Sequence, residues 1–466
     1  LVLDAAVEHI VALLALAKLK LTAVPLDPGY PLAVQRQVLE QANPHCLLFS
    51  AATEAALGHL DAERFARYRV DLKCERRAFA RAHHVGERAL YTLFTSGSTG
   101  TPKGVQVSDR TLCNLLHWQR TEGQLPARSV TLQFSMLSFD VSFQEIFATL
   151  CGGGTYHLIT PRWRQDAQAL LAYLIEARIE RLYLPCVALQ HLAQTAVAQG
   201  TYPPALREVV TAGEQLLCTD ALKTWFGGLP LATLFNHYGP TETHVVSAYR
   251  LPPTTADWPL RAPIGHAVGN ARLLLVDEHD RPVPSGSRGY LLVAGPMVSR
   301  CYLGDPALNA TRFVVLPQAE GDARLCYRTG DLAWADADGC LHYLGRDDQQ
   351  IKLSGHRLEL GQIEAALMQL PPVINAVVTV QAEPPGLIAY LQLDGEPAMA
   401  QTLDRQVAKQ LPAHVRIDEY RRIDAWPRTP SGKIDRKALT GLGEALQRRR
   451  SVTPATALSP LEQQLS

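Results

Sequence analysis

From residue 30 to about residue 345, short β-rich runs alternate with amphipathic stretches. This alternation constrains the fold more than any other feature of the sequence. Leu47-Leu48-Phe49, Val130 to Phe134, Arg181 to Leu184 and Glu208 to Thr211 are strand-like, while 165–179, 187–198 and 219–226 have helical spacing. Strands separated by helices predict α/β layers built on parallel sheets. Before this region, Ile10, Leu13, Leu14 and Ala17 mark a helix that Pro25, Pro28, Gly29 and Pro31 bring to an end. Near 264–300 the pattern becomes strands with tight turns. Ala271 to Val276 followed by Pro284-Ser285-Gly286 predicts an antiparallel β subdomain. A boundary falls near Gly345-Arg346-Asp347-Asp348. Beyond it the pattern predicts a small α+β unit: strand 350–353, helix 361–369, strands 374–380 and 387–393, and helix 401–410. The expected organisation is a large N-terminal domain over 1–346, a small C-terminal domain over 347–440 and a linker over 441–456.

The 466 residues carry 45 Lys plus Arg against 45 Asp plus Glu. Zero net charge argues against a protein that grips nucleic acid through a broad basic face. The 47% hydrophobic content argues against disorder and allows a large core. Nine cysteines stand at 46, 74, 113, 151, 186, 218, 301, 326 and 340, with no CxxC pair. That usage predicts neither a zinc site nor a disulfide framework, but a reduced cytoplasmic protein. The apolar run Ile10 to Ala17 is far below the ~20 residues of a membrane span. Without an initiator Met, the chain reads as an excised piece of a longer one.

The segment Thr95-Ser96-Gly97-Ser98-Thr99-Gly100-Thr101-Pro102-Lys103-Gly104 leaves the end of the apolar run Leu90 to Phe94. Its glycines permit close approach of an anion, its hydroxyls and amides can donate to phosphate oxygens, and Lys103 adds charge. A plain surface loop is the bland alternative, but the density of hydroxyls and the Pro-Lys-Gly ending argue against it. Pro102 and Gly104 break the Walker A pattern around the lysine. The glycine spacing is wrong for a dinucleotide loop, and no GxSxG elbow is present.

This loop resembles the signature of the adenylate-forming enzymes, which include acyl-CoA synthetases, luciferases and the adenylation domains of nonribosomal peptide synthetases. Four further segments follow in the family's order. They are Asn236-His237-Tyr238-Gly239-Pro240-Thr241-Glu242; Tyr327-Arg328-Thr329-Gly330-Asp331; Gly345 to Lys352 running on to Gly361-Gln362-Ile363-Glu364; and Pro430-Ser431-Gly432-Lys433-Ile434-Asp435-Arg436-Lys437. The resemblance implies formation of an acyl-adenylate from a carboxylate and ATP, with release of pyrophosphate. It implies that Thr95 to Gly100 and Lys103 hold the β- and γ-phosphates. By the same resemblance Gly213, Glu214, Tyr238 and Thr241 are expected to flank the nucleotide, Arg346 to lie beside it, and Asp331 to take the ribose hydroxyls. The resemblance likewise implies that Glu242 binds Mg²⁺ and that Lys433 meets the carboxylate and the α-phosphate. Asp348 matches the hinge about which the family's small domain rotates between half-reactions. Local alternatives exist: a helix-start carboxylate for Glu242, a turn cap for Asp331, and a solvated loop lysine for Lys433.

Ser138-Phe139-Asp140-Val141-Ser142-Phe143-Gln144 resembles the segment that opens the peptide-synthetase amino-acid pocket. There an aspartate pairs with the substrate ammonium, a role that falls to Asp140; an N-cap is its structural alternative. The other matched pocket positions are Val141, Gln144, Tyr183, Val210, Ala212, His237, Val245 and Val246, closed by Lys433. This lining is similar to the family's proline-type signature, which leaves proline analogues such as pipecolate and methylproline open. The valines make a small apolar wall, and Gln144 and His237 are expected to shorten the pocket and to bond each other. Strand core is the bland reading of the valines. Residues 457–466 resemble the first helix of a carrier domain, which implies a phosphopantetheine thiol as acceptor and an upstream condensation domain. Departures from the family are Asp109 where histidine is usual, Gln362 for glutamate, and His414 to Ile417 without the usual aromatic and proline residues. A free-acid CoA ligase and a degenerate scaffold are the competing classes.

Overall fold

The computed structural model describes residues 1–60, 64–72, 86, 88–95, 102–122, 128–160, 163–164, 166–317, 323–346, 350–353, 356–381, 386–394, 400–411, 415–427, 434, 436 and 438–446. For 350–353, 356–359, 362 and 401 it describes the backbone alone. The chain divides into two units, Leu1–Gln362 and Ile363–Ser466. The division lies past the 346/347 position read from the sequence, and Asp348 is outside the described residues.

In the first unit, α1 (Val7–Lys18) buries Ile10 and Leu13, and α2 (Leu32–Ala42) buries Val34, Val38 and Leu39. Beside them β1 (Cys46–Phe49) pairs in parallel with β2 (Ala66–Arg69), with the short α3 (Glu54–Leu57) between. Next, β3 (Ala89–Thr95) and β4 (Lys103–Ser108) form an antiparallel pair whose last register is Thr95 opposite Lys103. The glycine-rich segment therefore bridges a hairpin, and Ser96 to Gly100 lie outside the described residues. α4 (Asp109–Glu122) continues directly from β4.

A seven-stranded sheet follows. It contains β5 (Val130–Leu132), β6 (Thr155–His157), β7 (Arg181–Pro185), β8 (Glu208–Ala212), β9 (Thr233–Tyr238), β10 (Ser247–Arg250) and β11 (His266–Ala267), in the order β11-β10-β9-β8-β7-β5-β6. The pairings from β6 to β9 are parallel, as the strand–helix alternation predicts, and β10 and β11 add antiparallel edges. α5 (Asp140–Cys151), α6 (Ala167–Glu176), α7 (Cys186–Gln199) and α8 (Asp220–Gly227) are the connecting helices. Leu170 and Leu174, Leu189 and Leu192, and Leu222 and Trp225 pack with Leu182, Val209 and Leu234. Each such side chain contributes roughly 1.5–3 kcal/mol by leaving water. Asp166 caps α6 through the Ala169 N–H at 2.9 Å, and Thr219 caps α8 through Leu222 N–H.

β12 (Arg272–Val276), β13 (Gly289–Ala294), β14 (Phe313–Pro317), β15 (Ala323–Ala335) and β16 (Leu341–Arg346) make an all-antiparallel sheet. The expected Pro284-Ser285-Gly286 turn joins β12 to β13, and Gly286 takes φ +79°, which a side chain would strain. One core cluster gathers Tyr91, Val105 and Leu112 with Phe143, Ile146, Tyr238, Leu291 and Tyr327. It joins the hairpin, α5, the end of β9 and the antiparallel sheet, and so holds the site elements together. The unit ends with the hairpin β17 (Gln350–Leu353) and β18 (His356–Glu359).

The second unit pairs β19 (Val373–Gln381) with β20 (Gly386–Leu393), then β21 (Glu419–Arg422) and β22 (Glu444–Ala445). Arg436 donates to Glu364 at 2.6 and 3.0 Å and to the Val378 carbonyl at 2.9 Å. This ties the segment beside Lys433 to the small sheet. The α+β character matches the sequence expectation.

Glu145 in α5 is fully buried and accepts from Ser135 N (3.0 Å), Ser135 Oγ (2.7 Å) and Tyr156 Oη (3.0 Å). Burial, only partly offset by these donors, pushes its pKa up to about 7. The native state thus keeps a proton that the unfolded chain releases, so stability falls as pH rises from about 4.5 to about 7. The full window amounts to about 3 kcal/mol. Glu145→Gln keeps the shape without the charge. In thermal unfolding at about pH 5 and about pH 8, the wild type is expected to lose stability relative to this variant. An identical pH response in the two proteins would contradict the assignment.

Candidate active site

The carboxyl ends of β7, β8 and β9 carry residues expected to line the pocket. Register places Tyr183 beside Val210 and Val210 beside Phe235. Two residues onward, Ala212 stands beside His237. Residues two apart in a strand share a face, so Tyr183, Val210, Ala212 and His237 line one side. Open parallel sheets bind ligands at this end. Val141, from the first turn of α5, packs on the cluster of Tyr183, Val210 and Phe235. Five of the predicted pocket residues are thereby gathered, and Phe235, which the sequence reading missed, packs with them. Val245 packs with Leu115 and Val268, whereas Val246 belongs to the central core cluster.

Asp140 opens α5 at its first helical position, with Phe139 as the capping residue and no side-chain cap bond. The N-cap alternative is therefore not what the side chain does. Its Oδ1 accepts the Val141 N–H at 2.8 Å. His244 lies beside it, and burial, partly offset by Asp140, lowers the His244 pKa and favours the neutral ring. Tyr91 is also near; burial and the Asp140 charge keep its phenol protonated.

Gln144 does not bond His237. Its Nε2 donates to Gln119 Oε1 at 2.9 Å, and among the described residues Gln144 Oε1 and His237 Nδ1 have no partner. His237 sits edge-on to Trp118 at 5.7 Å and to Phe235 at 6.2 Å. Burial, with His244 adding to it, lowers its pKa to about 3, so it stays neutral.

A second group forms where β9 meets the antiparallel sheet. Asp331 stands opposite Arg346 in the β15–β16 register, and Arg346 Nη1 reaches Asp331 Oδ1 at 2.7 Å. Tyr238 Oη donates to Asp331 Oδ2. Three residues assigned to the nucleotide are thus joined across distant segments, and Asp331 sits in a strand rather than capping a turn. Glu242 lies in the turn after β9, not at a helix start. It is buried, and Tyr302 Oη donates to its Oε1 at 2.7 Å, with Tyr327 Oη 3.2 Å from Tyr302 Oη. Gly239 allows this turn to close, since a Cβ there would stand 1.8 Å from the His244 carbonyl oxygen. Gly213 takes φ +97° ahead of Glu214. A cleft of about 390 Å³ adjoins this region, lined by Gln215, Arg261, Trp334, His342 and Tyr343. It shares no residue with the amino-acid pocket. Lys103 heads β4, while Lys433 lies outside the described residues.

The profile of the AMP-binding enzyme family matches residues 1–303, and that of the AMP-binding enzyme C-terminal domain matches 362–433. The chain belongs to the AMP-binding enzyme family. It is 37% identical to tyrocidine synthase 2 of Brevibacillus parabrevis over 79% of its length, and spans 10% of that protein. It is 35% identical to phosphinothricin tripeptide synthetase PhsB of Streptomyces viridochromogenes over 98% of its length, and spans 39% of that protein. Among solved structures, an NRPS protein containing adenylation and PCP domains, bound to a vinylsulfonamide inhibitor, superposes with TM-score 0.79 at 26% identity. That match covers 94% of this chain and 75% of the other. The amide bond synthetase McbA of Marinactinospora thermotolerans shares the fold, with TM-score 0.82 at 23% identity, over 94% of this chain and 88% of that one. Within the family the chain is an amino-acid-adenylating ligase. No helix among the described residues is long and apolar enough to cross a membrane.

Proposed function

We propose that this domain activates L-proline as prolyl-adenylate and passes it to the phosphopantetheine thiol of a carrier domain, as one step of nonribosomal peptide synthesis. One observation carries the substrate reading. Val141, Tyr183, Val210 and Phe235 form a single small apolar cluster in the α5–sheet corner that Asp140 heads. A compact ring suits such a wall, and the neutral His237 and the Gln144 amide offer no fixed charge to an acidic or basic side chain.

In the proposed reaction a carboxylate oxygen attacks the α-phosphorus, the bond to the β-phosphate oxygen breaks, and pyrophosphate leaves with the electron pair. Two anions must meet, so positioning and charge neutralisation dominate. Asp140 takes the substrate ammonium. Lys433 takes the carboxylate and the α-phosphate. Thr95, Ser96, Gly97, Ser98, Thr99, Gly100 and Lys103 hold the outer phosphates. Asp331, with one oxygen on Arg346 and one on Tyr238, keeps lone pairs for ribose hydroxyls. Gly213, Glu214 and Thr241 border the base and sugar. The Glu242 carboxylate, an oxygen donor fixed by Tyr302, suits a hard cation, and Mg²⁺ there would neutralise phosphate charge. In the second step the thiolate attacks the acyl carbon and AMP leaves. The acceptor thiol and an upstream condensation domain belong to neighbouring parts of the synthetase, and the reaction is assigned to the cytoplasm as part of this proposal.

Asp348 is proposed as the hinge between the half-reactions; a boundary residue can absorb the required φ/ψ change. Labelled proline should load onto a phosphopantetheinylated carrier domain in preference to free CoA. Asp348→Pro should lose this loading by about tenfold or more while retaining ATP–pyrophosphate exchange. Equal loss of both steps would remove the hinge assignment, and preference for CoA would favour a free-acid ligase.

A further inference from the structure

Behind the pocket wall runs a buried polar chain that the proposed chemistry leaves unused. Gln119, on α4, is 5% exposed. Its Oε1 accepts from Gln144 at 2.9 Å, and its Nε2 donates to Tyr183 Oη at 2.6 Å and Glu208 Oε1 at 3.3 Å. Glu208 Oε1 also accepts from Arg181 Nε at 3.0 Å, and Arg181 Nη1 donates to Ser129 Oγ at 3.1 Å. Gln144 and Tyr183 are wholly buried, and Glu208 nearly so.

The far end dictates the polarity of this chain. Arginine only donates and an ionised carboxylate only accepts, so Gln119 must turn its amide NH₂ toward Glu208. Its carbonyl then faces Gln144, and Gln144 must present its own NH₂ in return. Neither amide can flip without orphaning buried groups, at about 1–3 kcal/mol each. Gln119 therefore bridges α5, through Gln144, and β7, through Tyr183.

We infer that Gln119 is a positioning residue that sets acid specificity: by clamping Gln144 to Tyr183 it fixes the size of the pocket and excludes a larger ring. The inference rests on Gln144 and Tyr183 being pocket walls, as proposed above. It needs no contact between Gln119 and the substrate.

The test is the ratio of kcat/KM for L-proline to that for L-pipecolate, one methylene larger, in ATP–pyrophosphate exchange. A ratio is independent of how much of a preparation is folded. One methylene is typically discriminated about 10- to 200-fold. Gln119→Met keeps length and volume but removes all three bonds, and is expected to lower the ratio about tenfold with KM for ATP unchanged. The double variant Gln119→Met with Gln144→Met orphans neither amide, and covers the case in which the single variant fails to fold. It is expected to show the same lowered ratio as Gln144→Met alone, because the two residues act as one unit. An unchanged ratio in both variants, with activity merely reduced, would overturn the inference. Should the wild type prefer another amino acid, the proline reading falls. Gln119 is then judged by the same ratio for that acid and its one-methylene homologue.

Discussion

Replacing Asp140 with alanine is expected to lower proline-dependent exchange by about a hundred- to a thousandfold. Truncating one partner of a hydrogen-bonded charge pair costs about 2–5 kcal/mol, and each 1.4 kcal/mol is tenfold. The residue is held for this role. It stands at the start of α5 with one oxygen tied to the Val141 N–H, and its neighbour His244 favours the neutral form, so that ring does not compete as a cation. The substrate ammonium is the counter-charge the site calls for. Tetrahydrofuran-2-carboxylate, with ring oxygen in place of nitrogen, separates charge pairing from general damage. Its weak exchange should not fall in Asp140→Ala. A parallel fall for both acids would make Asp140 a structural residue only.

Lys433→Ala is expected to reduce adenylate formation by a comparable factor. Removing one preorganised donor at developing negative charge costs about 10²–10³ in kcat, and a full positive charge between carboxylate and α-phosphate should do no less. The loss should fall on kcat, because the charge it meets is greatest in the transition state. Chemically prepared prolyl-adenylate should still be transferred to the carrier thiol at near wild-type rate. Loss of both steps to the same extent would mean that Lys433 supports the fold of its segment, which Arg436 already ties to Glu364. A rise in proline KM alone would make it a binding residue without a transition-state role.

The parallel sheet was legible because its strands and helices repeat on short local periods, and β7, β8, α7 and α8 fall within a residue or two of the expected positions. The residues assigned to the nucleotide were marked by ordered motifs. Their union was not: Asp331 meets Arg346 through the β15–β16 register, and meets Tyr238, 93 residues earlier in the chain, from a different sheet. Tyr302 was missed because an isolated tyrosine carries no spacing signal. Phe235 was missed because a single apolar residue ahead of a motif carries no signal beyond core packing. Gln119 did leave a trace. It continues the buried stripe of Leu112 and Leu115 on α4, where a helical period calls for an apolar residue. A polar side chain at a core position must find a partner, and that rule alone pointed to a buried network. The expected Gln144–His237 bond failed for the same reason: Gln119 offered Gln144 a partner from a helix that the pocket reading had ignored.

The most direct measurement is amino-acid-dependent ATP–pyrophosphate exchange across the standard amino acids with this domain. L-proline should give the strongest exchange, acidic and basic amino acids almost none, and phenylalanine little. Strong stimulation by phenylalanine or by an acidic amino acid, with none by proline, would contradict the assignment of the pocket.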